Sequence, residues 1–242
     1  MTTVISAILL DVEGTTTPVD FVHETLFSYA RRQLPSFLQR YWDEPSVHAD
    51  ILALKKQHES EMCRSKEPPV WEDHSPEAHI ASVLLYVNWL MSKDSKSPPL
   101  KSLQGKIWRA GYQEGQLHGQ LYSDVPTAFA RWSPEKTICI FSSGSVLAQR
   151  LLFTHSCFGD LTAFIHDYFD VTTGAKRDPI SYKKIAASLR LPASEVLFVS
   201  DVVEELDAAR QMEMETALCV RSGSPLPSQT HPIICSFDSL FP

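Results

Sequence analysis

No apolar run in the chain approaches the ~18 residues that a membrane-spanning helix needs; the longest candidate, Ile80 to Met91, is broken by Ser82 and Asn88. The start carries neither a basic segment nor a small-residue cleavage site, so no secretory signal is expected. There is no block of Lys or Arg, and 22 basic against 29 acidic residues leave a net charge of −7, which argues against nucleic-acid binding by bulk electrostatics. None of the five cysteines (Cys63, Cys139, Cys157, Cys219, Cys235) forms a C-x-x-C pair, and their number is odd. Reduced thiols and a cytoplasmic location are expected rather than a disulfide framework or a zinc site, with a nuclear location also open in a eukaryote. The nine histidines include no H-x-x-x-H or H-E-x-x-H spacing, so they too point away from zinc.

What is present is an ordinary globular composition: 242 residues, 43% hydrophobic and 21% charged, enough for one large domain or a core with a sizeable insertion. Val4 to Leu10 reads as a buried strand ending at Asp11. From Phe21 to Gln116 the signals are helical, with Ser75-Pro76 as N-cap and first helical residue before Ile80, Val83, Leu84, Val87, Leu90 and Met91 at 3.6-residue spacing. Prolines 35, 45, 68, 69, 76, 98 and 99 divide this stretch into four or five helices, and its aromatics Trp71, Tyr86, Trp89, Trp108 and Tyr112 read as core.

After that the pattern changes. Apolar runs at Thr137–Phe141, Val196–Val199 and Ala217–Val220 alternate with helical stretches at 145–153, 178–189 and 203–213, and Ser222 to Pro232 suits a loop before a last short strand. Strands alternating with helices predict an α/β fold, a doubly wound parallel sheet of Rossmann-like type interrupted by a helical insertion after its first strand. The core is expected over 1–19 and 117–242 and the inserted cap over 20–116.

In such a sheet ligands bind beyond the carboxyl ends of the strands, which directs attention to four segments. Asp11-Val-Glu13-Gly14 places two carboxylates at the end of the first strand; Ser142-Ser143-Gly144-Ser145 offers hydroxyls and backbone N–H groups at a helix start, a natural phosphate cradle. Lys176 precedes the helical stretch 178–189, and Asp201 leads an acidic cluster with Glu204 and Glu205. Singly, each has a plain structural reading: a solvated loop, a serine N-cap, a surface lysine, acids at a helix dipole. Together, Asp11 and Asp201 on adjacent strand ends fit one Mg²⁺, which takes oxygen ligands and often only one or two carboxylates.

The order Asp11-x-Glu13-Gly14-Thr15, Ser142/Ser143, Lys176, Asp201 resembles the haloacid dehalogenase superfamily. Glu13 in place of Asp, the run Glu13-Gly-Thr-Thr-Thr-Pro18, Tyr122-x-Asp-Val-Pro126, Phe141-Ser-Ser-Gly-Ser145 and Ser181-Tyr-x-Lys-Ile-Ala186 resemble the enolase-phosphatase family of methionine salvage. The likeness runs from about residue 5 to 240. It implies an enzyme that enolises 2,3-diketo-5-methylthiopentyl-1-phosphate and then dephosphorylates it, using one Mg²⁺ held by Asp11, Asp201 and Glu13 through side chain or carbonyl. It further implies Asp11 as nucleophile, Glu13 and Lys176 as catalytic groups, and Lys176 with Ser142, Ser143 and Gly144 as phosphate binders. The enolising base stays open among Glu13, Lys176 and a cap residue. A generic capped phosphatase of the same superfamily is the alternative; a receiver-type switch would need only half this length and no insertion. A monomer is the expected state.

Overall fold

The computed structural model describes residues 4–64, 66–222 and 230–241. Within it the chain divides into two compact units, Met1–His23 with Gly115–Pro242, and Glu24–Glu114.

The first unit is built on six strands: β1 (Ala7–Leu10), β2 (Thr137–Phe141), β3 (Ile165–Phe169), β4 (Val196–Ser200), β5 (Glu215–Cys219) and β6 (Ile233–Ile234). All pairings are parallel, in the order β3-β2-β1-β4-β5-β6. β1 is wholly buried, as an apolar run lined on both faces must be. It begins at Ala7, not at Val4, because sheet partners for both edges start there (Thr137 and Val196), and Val4 is exposed. The chain leaves β1 towards β2 and β3 on one side and returns to β4, β5 and β6 on the other. The order therefore reverses at β1, which makes the crevice beyond its carboxyl end the topological switch point.

Helices α5 (Val125–Trp132), α6 (Val146–Thr154), α7 (Pro179–Leu189) and α8 (Val203–Arg210) complete this unit; the labels α1 to α4 belong to the second unit. The stretch expected to run to 213 stops at Arg210, and Glu213 takes a left-handed turn into β5. β3 was not expected: as an edge strand it exposes His166, and its Ile-His-Asp-Tyr-Phe sequence breaks the apolar run that betrayed the central strands. Of the expected loop Ser222–Pro232, residues 223–229 lie outside the described residues. Tyr182 of α7 packs its ring against Phe141 of β2 and Phe198 of β4, with centroids 5.7 and 5.1 Å away, and all three side chains are fully buried.

The second unit is helical: α1 (Ser28–Tyr41), α2 (Pro45–Cys63), α3 (Pro76–Ser92) and α4 (Pro98–Gln113), with a wide π-helical stretch at Phe21–Phe27 leading into α1. α1 and α2 each pack on both α3 and α4. Ser75 caps α3 by accepting from the Ala78 N–H, with Pro76 as first residue, and Ser97-Pro98 repeats the device on α4. Pro35 does not divide two helices; it sits inside α1 on the exposed face, where the Arg31 carbonyl it frees meets water. The buried face of α3 keeps Val83, Val87 and Leu90 from the expected one but turns towards Ser82 and Tyr86, while Ile80, Leu84 and Met91 stay part-exposed. Ser82 tolerates burial because its hydroxyl bonds the backbone N–H and carbonyl of Glu72, and Tyr86 donates to the Glu61 carboxylate at 2.7 Å. Tyr86, Trp108 and Tyr112 are core; Trp71 and Trp89 are part-exposed.

Phe198→Ala removes a fully buried ring from the central strands. It is expected to cost about 3–5 kcal/mol, measured by urea unfolding followed at the sheet unit's transition.

Candidate active site

β1 ends in Asp11, whose own N–H still bonds the Val199 carbonyl of β4 at 3.0 Å, so the side chain is delivered at the end of a rigid strand. Its neighbour loop, Val12 to Thr17, is a tight turn. The N–H groups of Thr15, Thr16 and Thr17 converge on the Val12 carbonyl, and the Gly14 N–H bonds the Thr17 carbonyl. Gly14 adopts φ +70°, and a Cβ there would run into the Asp201 carboxylate. Glycine is required both by the left-handed backbone and by that close approach.

Lys176 is no surface lysine. Its side chain is 10% exposed and its ammonium lies 2.6 Å from Asp11 Oδ1 and 2.6 Å from Glu205 Oε2. α7 holds the loop that carries it: Ser181 Oγ donates to the Ala175 carbonyl at 2.7 Å and Tyr182 Oη to the Lys176 carbonyl at 2.6 Å. Ser200, the last residue of β4, donates towards both Asp11 Oδ2 (3.2 Å) and Glu205 Oε2 (3.0 Å) and accepts from the Val202 N–H. Asp11 Oδ1 also accepts from the Val12 N–H at 2.6 Å. Burial opposes the charge on Lys176, but the two carboxylates outweigh it and hold its pKa above the ordinary value.

Asp201 stands at the end of β4, beside Gly14 and on the strand next to β1. Its carboxyl is pushed up to about 6, by burial first and then by the nearby Asp11 charge. The Glu205 carboxyl is raised as well, again by burial and then Asp11, with Lys176 pulling the other way. Three carboxylates thus surround one ammonium, an excess of two negative charges when all are ionised. Among the described residues no group of three or more His, Cys, Asp or Glu side chains forms a ready-made metal cage. That combination fits Mg²⁺, which is content with one or two carboxylates and completes its shell with water and substrate oxygens.

Glu13 turns its carboxylate towards His23, with Oε1 4.0 Å from Nε2, and both side chains are part-exposed. Its peptide, not its side chain, faces the turn that follows Asp11. Ser142 follows β2, the strand beside β1; it is buried, and its hydroxyl accepts from the Gly144 N–H, while Ser143 is exposed. The helix start behind them offers fewer open donors than its sequence suggests, since Asp170 takes the Val146 N–H and Ser145 Oγ the Ala148 N–H. The structure therefore brings Asp11, Lys176 and Asp201 together directly, and sets Ser142, Ser143, Gly144 and Glu13 on adjoining loops. Ser200 and Glu205 complete the cluster; in the sequence Glu205 reads only as part of the acidic run after Asp201, and its place in the first turn of α8 brings it to Lys176.

Carboxylates and a lysine gathered at the switch point of a parallel sheet define a hydrolase core built for phosphoryl or related transfer. A family model for haloacid dehalogenase-like hydrolases matches residues 5–213. Two curated relatives are enolase-phosphatase E1 of Synechococcus elongatus, 48% identical over 91% of this chain and 90% of that protein, and its counterpart in Pseudomonas aeruginosa, 42% identical over 96% of each. Among solved structures, the UTR4 protein of Saccharomyces cerevisiae superposes with a TM-score of 0.78 at 34% identity, covering 98% of this chain and 100% of that one. The chain belongs to the enolase-phosphatase family of haloacid dehalogenase-like hydrolases.

Lys176→Met leaves two buried carboxylates facing each other without their cation. The expected loss is about 3–5 kcal/mol near neutral pH. Without the ammonium the Glu205 carboxyl, already raised by burial, rises further in the folded state, so folding takes up protons and the deficit shrinks as the pH falls. Chemical denaturation at a series of pH values checks the sign.

Proposed function

We propose that the chain enolises 2,3-diketo-5-methylthiopentyl-1-phosphate and then hydrolyses the phosphate ester, acting as a monomer with one Mg²⁺ held by Asp11, Asp201 and Glu13, the last through its carbonyl. The observation that carries the phosphatase half is the Lys176 ammonium clamped between Asp11 and Glu205 at the end of the central strand.

Asp11 attacks phosphorus, the bond from phosphorus to the substrate oxygen breaks, and an aspartyl-phosphate results; this splits one difficult displacement into two easier ones. Glu13, in the turn just beyond the strand end, gives a proton to the departing oxygen. It then takes one from the water that attacks the aspartyl-phosphate, which releases phosphate and restores Asp11. Lys176 stays charged throughout, because the neighbouring carboxylates hold its pKa up, and it meets the phosphoryl oxygens as charge shifts among them. Ser142, Ser143 and Gly144 supply hydroxyl and backbone donors to the same oxygens from the β2 end. When bound, Mg²⁺ offsets the repulsion between a carboxylate nucleophile and a phosphate dianion and polarises the substrate carbonyl for enolisation.

Enolisation removes a proton from carbon next to that carbonyl. Glu13 is the first candidate for the base, because it lies two residues after Asp11 in the turn beyond the strand end and its carboxylate is part-exposed. The helical unit, Glu24–Glu114, is proposed as the cap domain expected over 20–116. All five cysteines are free thiols, which supports a reducing, cytoplasmic setting. Among the described residues no helix is long and apolar enough to cross a membrane.

The test is a paired time course with Mg²⁺, following enol absorbance and free phosphate together in the wild type and in Asp11→Asn. The wild type is expected to give both signals. The variant should keep enol formation while phosphate release falls by about a thousandfold or more, as expected for loss of a nucleophile in so slow a reaction. Phosphate released without an enol stage would instead leave a phosphatase with no enolase step.

A further inference from the structure

Arg221 follows β5 and belongs to none of the segments above, yet its side chain is only 6% exposed, and its partners Thr15, Asp124, Tyr122 and Phe237 all lie in the sheet unit. Its Nε donates to the Thr15 carbonyl at 2.8 Å and its Nη1 to Asp124 Oδ2 at 2.6 Å. The guanidinium lies between the rings of Tyr122 and Phe237, each centroid 4.4 Å from Cζ. Asp124 Oδ2 also accepts from the Phe237 N–H at 2.6 Å and from Ser236 Oγ at 3.0 Å. Burial pulls the Asp124 carboxyl upward, but Arg221 and the Phe237 N–H outweigh it, and it is held below the usual carboxylate range. The Tyr122 N–H, finally, bonds the Thr16 carbonyl at 3.0 Å.

A buried ion pair is often no more stabilising than apolar side chains of the same volume. Stability alone is therefore a weak reason for a charged group here. What an apolar residue would lack is the reach to the Thr15 carbonyl, in the loop that starts directly after Asp11 and contains Glu13. Thr16 Oγ1 bonds inward to the Asp11 and Val12 carbonyls, and among the described residues the buried hydroxyls of Thr15 and Thr17 have no hydrogen-bond partner. Arg221 and the Tyr122 peptide grip its carbonyls from outside.

We propose that Arg221 is a positioning residue: its planar fork, braced by Asp124 and two rings, holds the Thr15 carbonyl and so fixes the Glu13 peptide where it meets Mg²⁺ beside Asp11. The proposal rests on the metal reading given above. A lysine would keep the charge opposite Asp124 but is a point donor, unable to serve carbonyl and carboxylate in one plane or to stack as a flat group.

Arg221→Lys and Arg221→Ala separate positioning from folding. Each is assayed by thermal melting, by calorimetric titration of the substrate-free protein with MgCl₂, and by kcat and KM measured below the melting range. In Arg221→Lys, Mg²⁺ binding and kcat are each expected to fall by about tenfold to a hundredfold with KM changed far less, as for a small misplacement of a reacting group. Arg221→Ala, if it folds, should fall at least as far. Arg221→Lys that binds Mg²⁺ and turns over within twofold of the wild type overturns the proposal, whether or not its melting temperature drops. Wild type that binds no Mg²⁺ overturns the metal reading itself, and the proposal with it; wild-type binding with no effect of the lysine overturns the proposal alone.

Discussion

The buried Lys176 ammonium, gripped by Asp11 and Glu205, joins three chain segments that are remote in sequence: the end of β1, the loop before α7 and the first turn of α8. Each segment alone would be unfavourable in that place, since a buried charge without its partner is costly. Together they form a compact ionic knot, with Ser200 as the hydroxyl bridging both carboxylates. The surrounding fold exists to hold this knot at one point. Parallel strands deliver Asp11 and Asp201 side by side, and Tyr182, wedged between Phe141 and Phe198, pins the carbonyl of Lys176 itself.

The same knot explains why the site suits a cation and a phosphate ester. One ammonium does not neutralise three carboxylates, and burial, followed by the nearby Asp11 charge, raises the Asp201 carboxyl. In the proposed function a divalent ion offsets that excess and Lys176 is assigned to the phosphoryl oxygens. Gly14 contributes by having no side chain: the turn after Asp11 passes so close to Asp201 that only hydrogen fits.

Much of this was legible in the sequence because central parallel strands are buried on both faces and write continuous apolar runs. Thr137–Phe141 lies where its run predicts, and the polar residue that ends each such run marks the ligand side. Asp11 and Asp201 followed from that rule, Lys176 stood out only in company with them, and the pattern around Glu13 gave the family. Other parts were hidden for physical reasons. β3 is an edge strand with a polar middle, and α5 is short and lacks a side-chain cap. Glu205 reads as an acid at a helix start until Lys176 is seen beside it. Arg221 has no local signature, because Thr15, Asp124 and Phe237 come from three distant stretches that only the folded chain brings together.

The central claim is that Asp11 accepts the phosphoryl group beside Lys176. Beryllium fluoride, a stable mimic of an acyl phosphate, tests it without turnover: a crystal structure of the chain soaked with MgCl₂ and beryllium fluoride would show where the mimic bonds. The account predicts beryllium on a carboxylate oxygen of Asp11, with the Lys176 ammonium on a fluoride and Mg²⁺ between Asp11 and Asp201. Beryllium on any other residue, or Lys176 still closed on Asp11 with the mimic absent at saturating concentration, would contradict it.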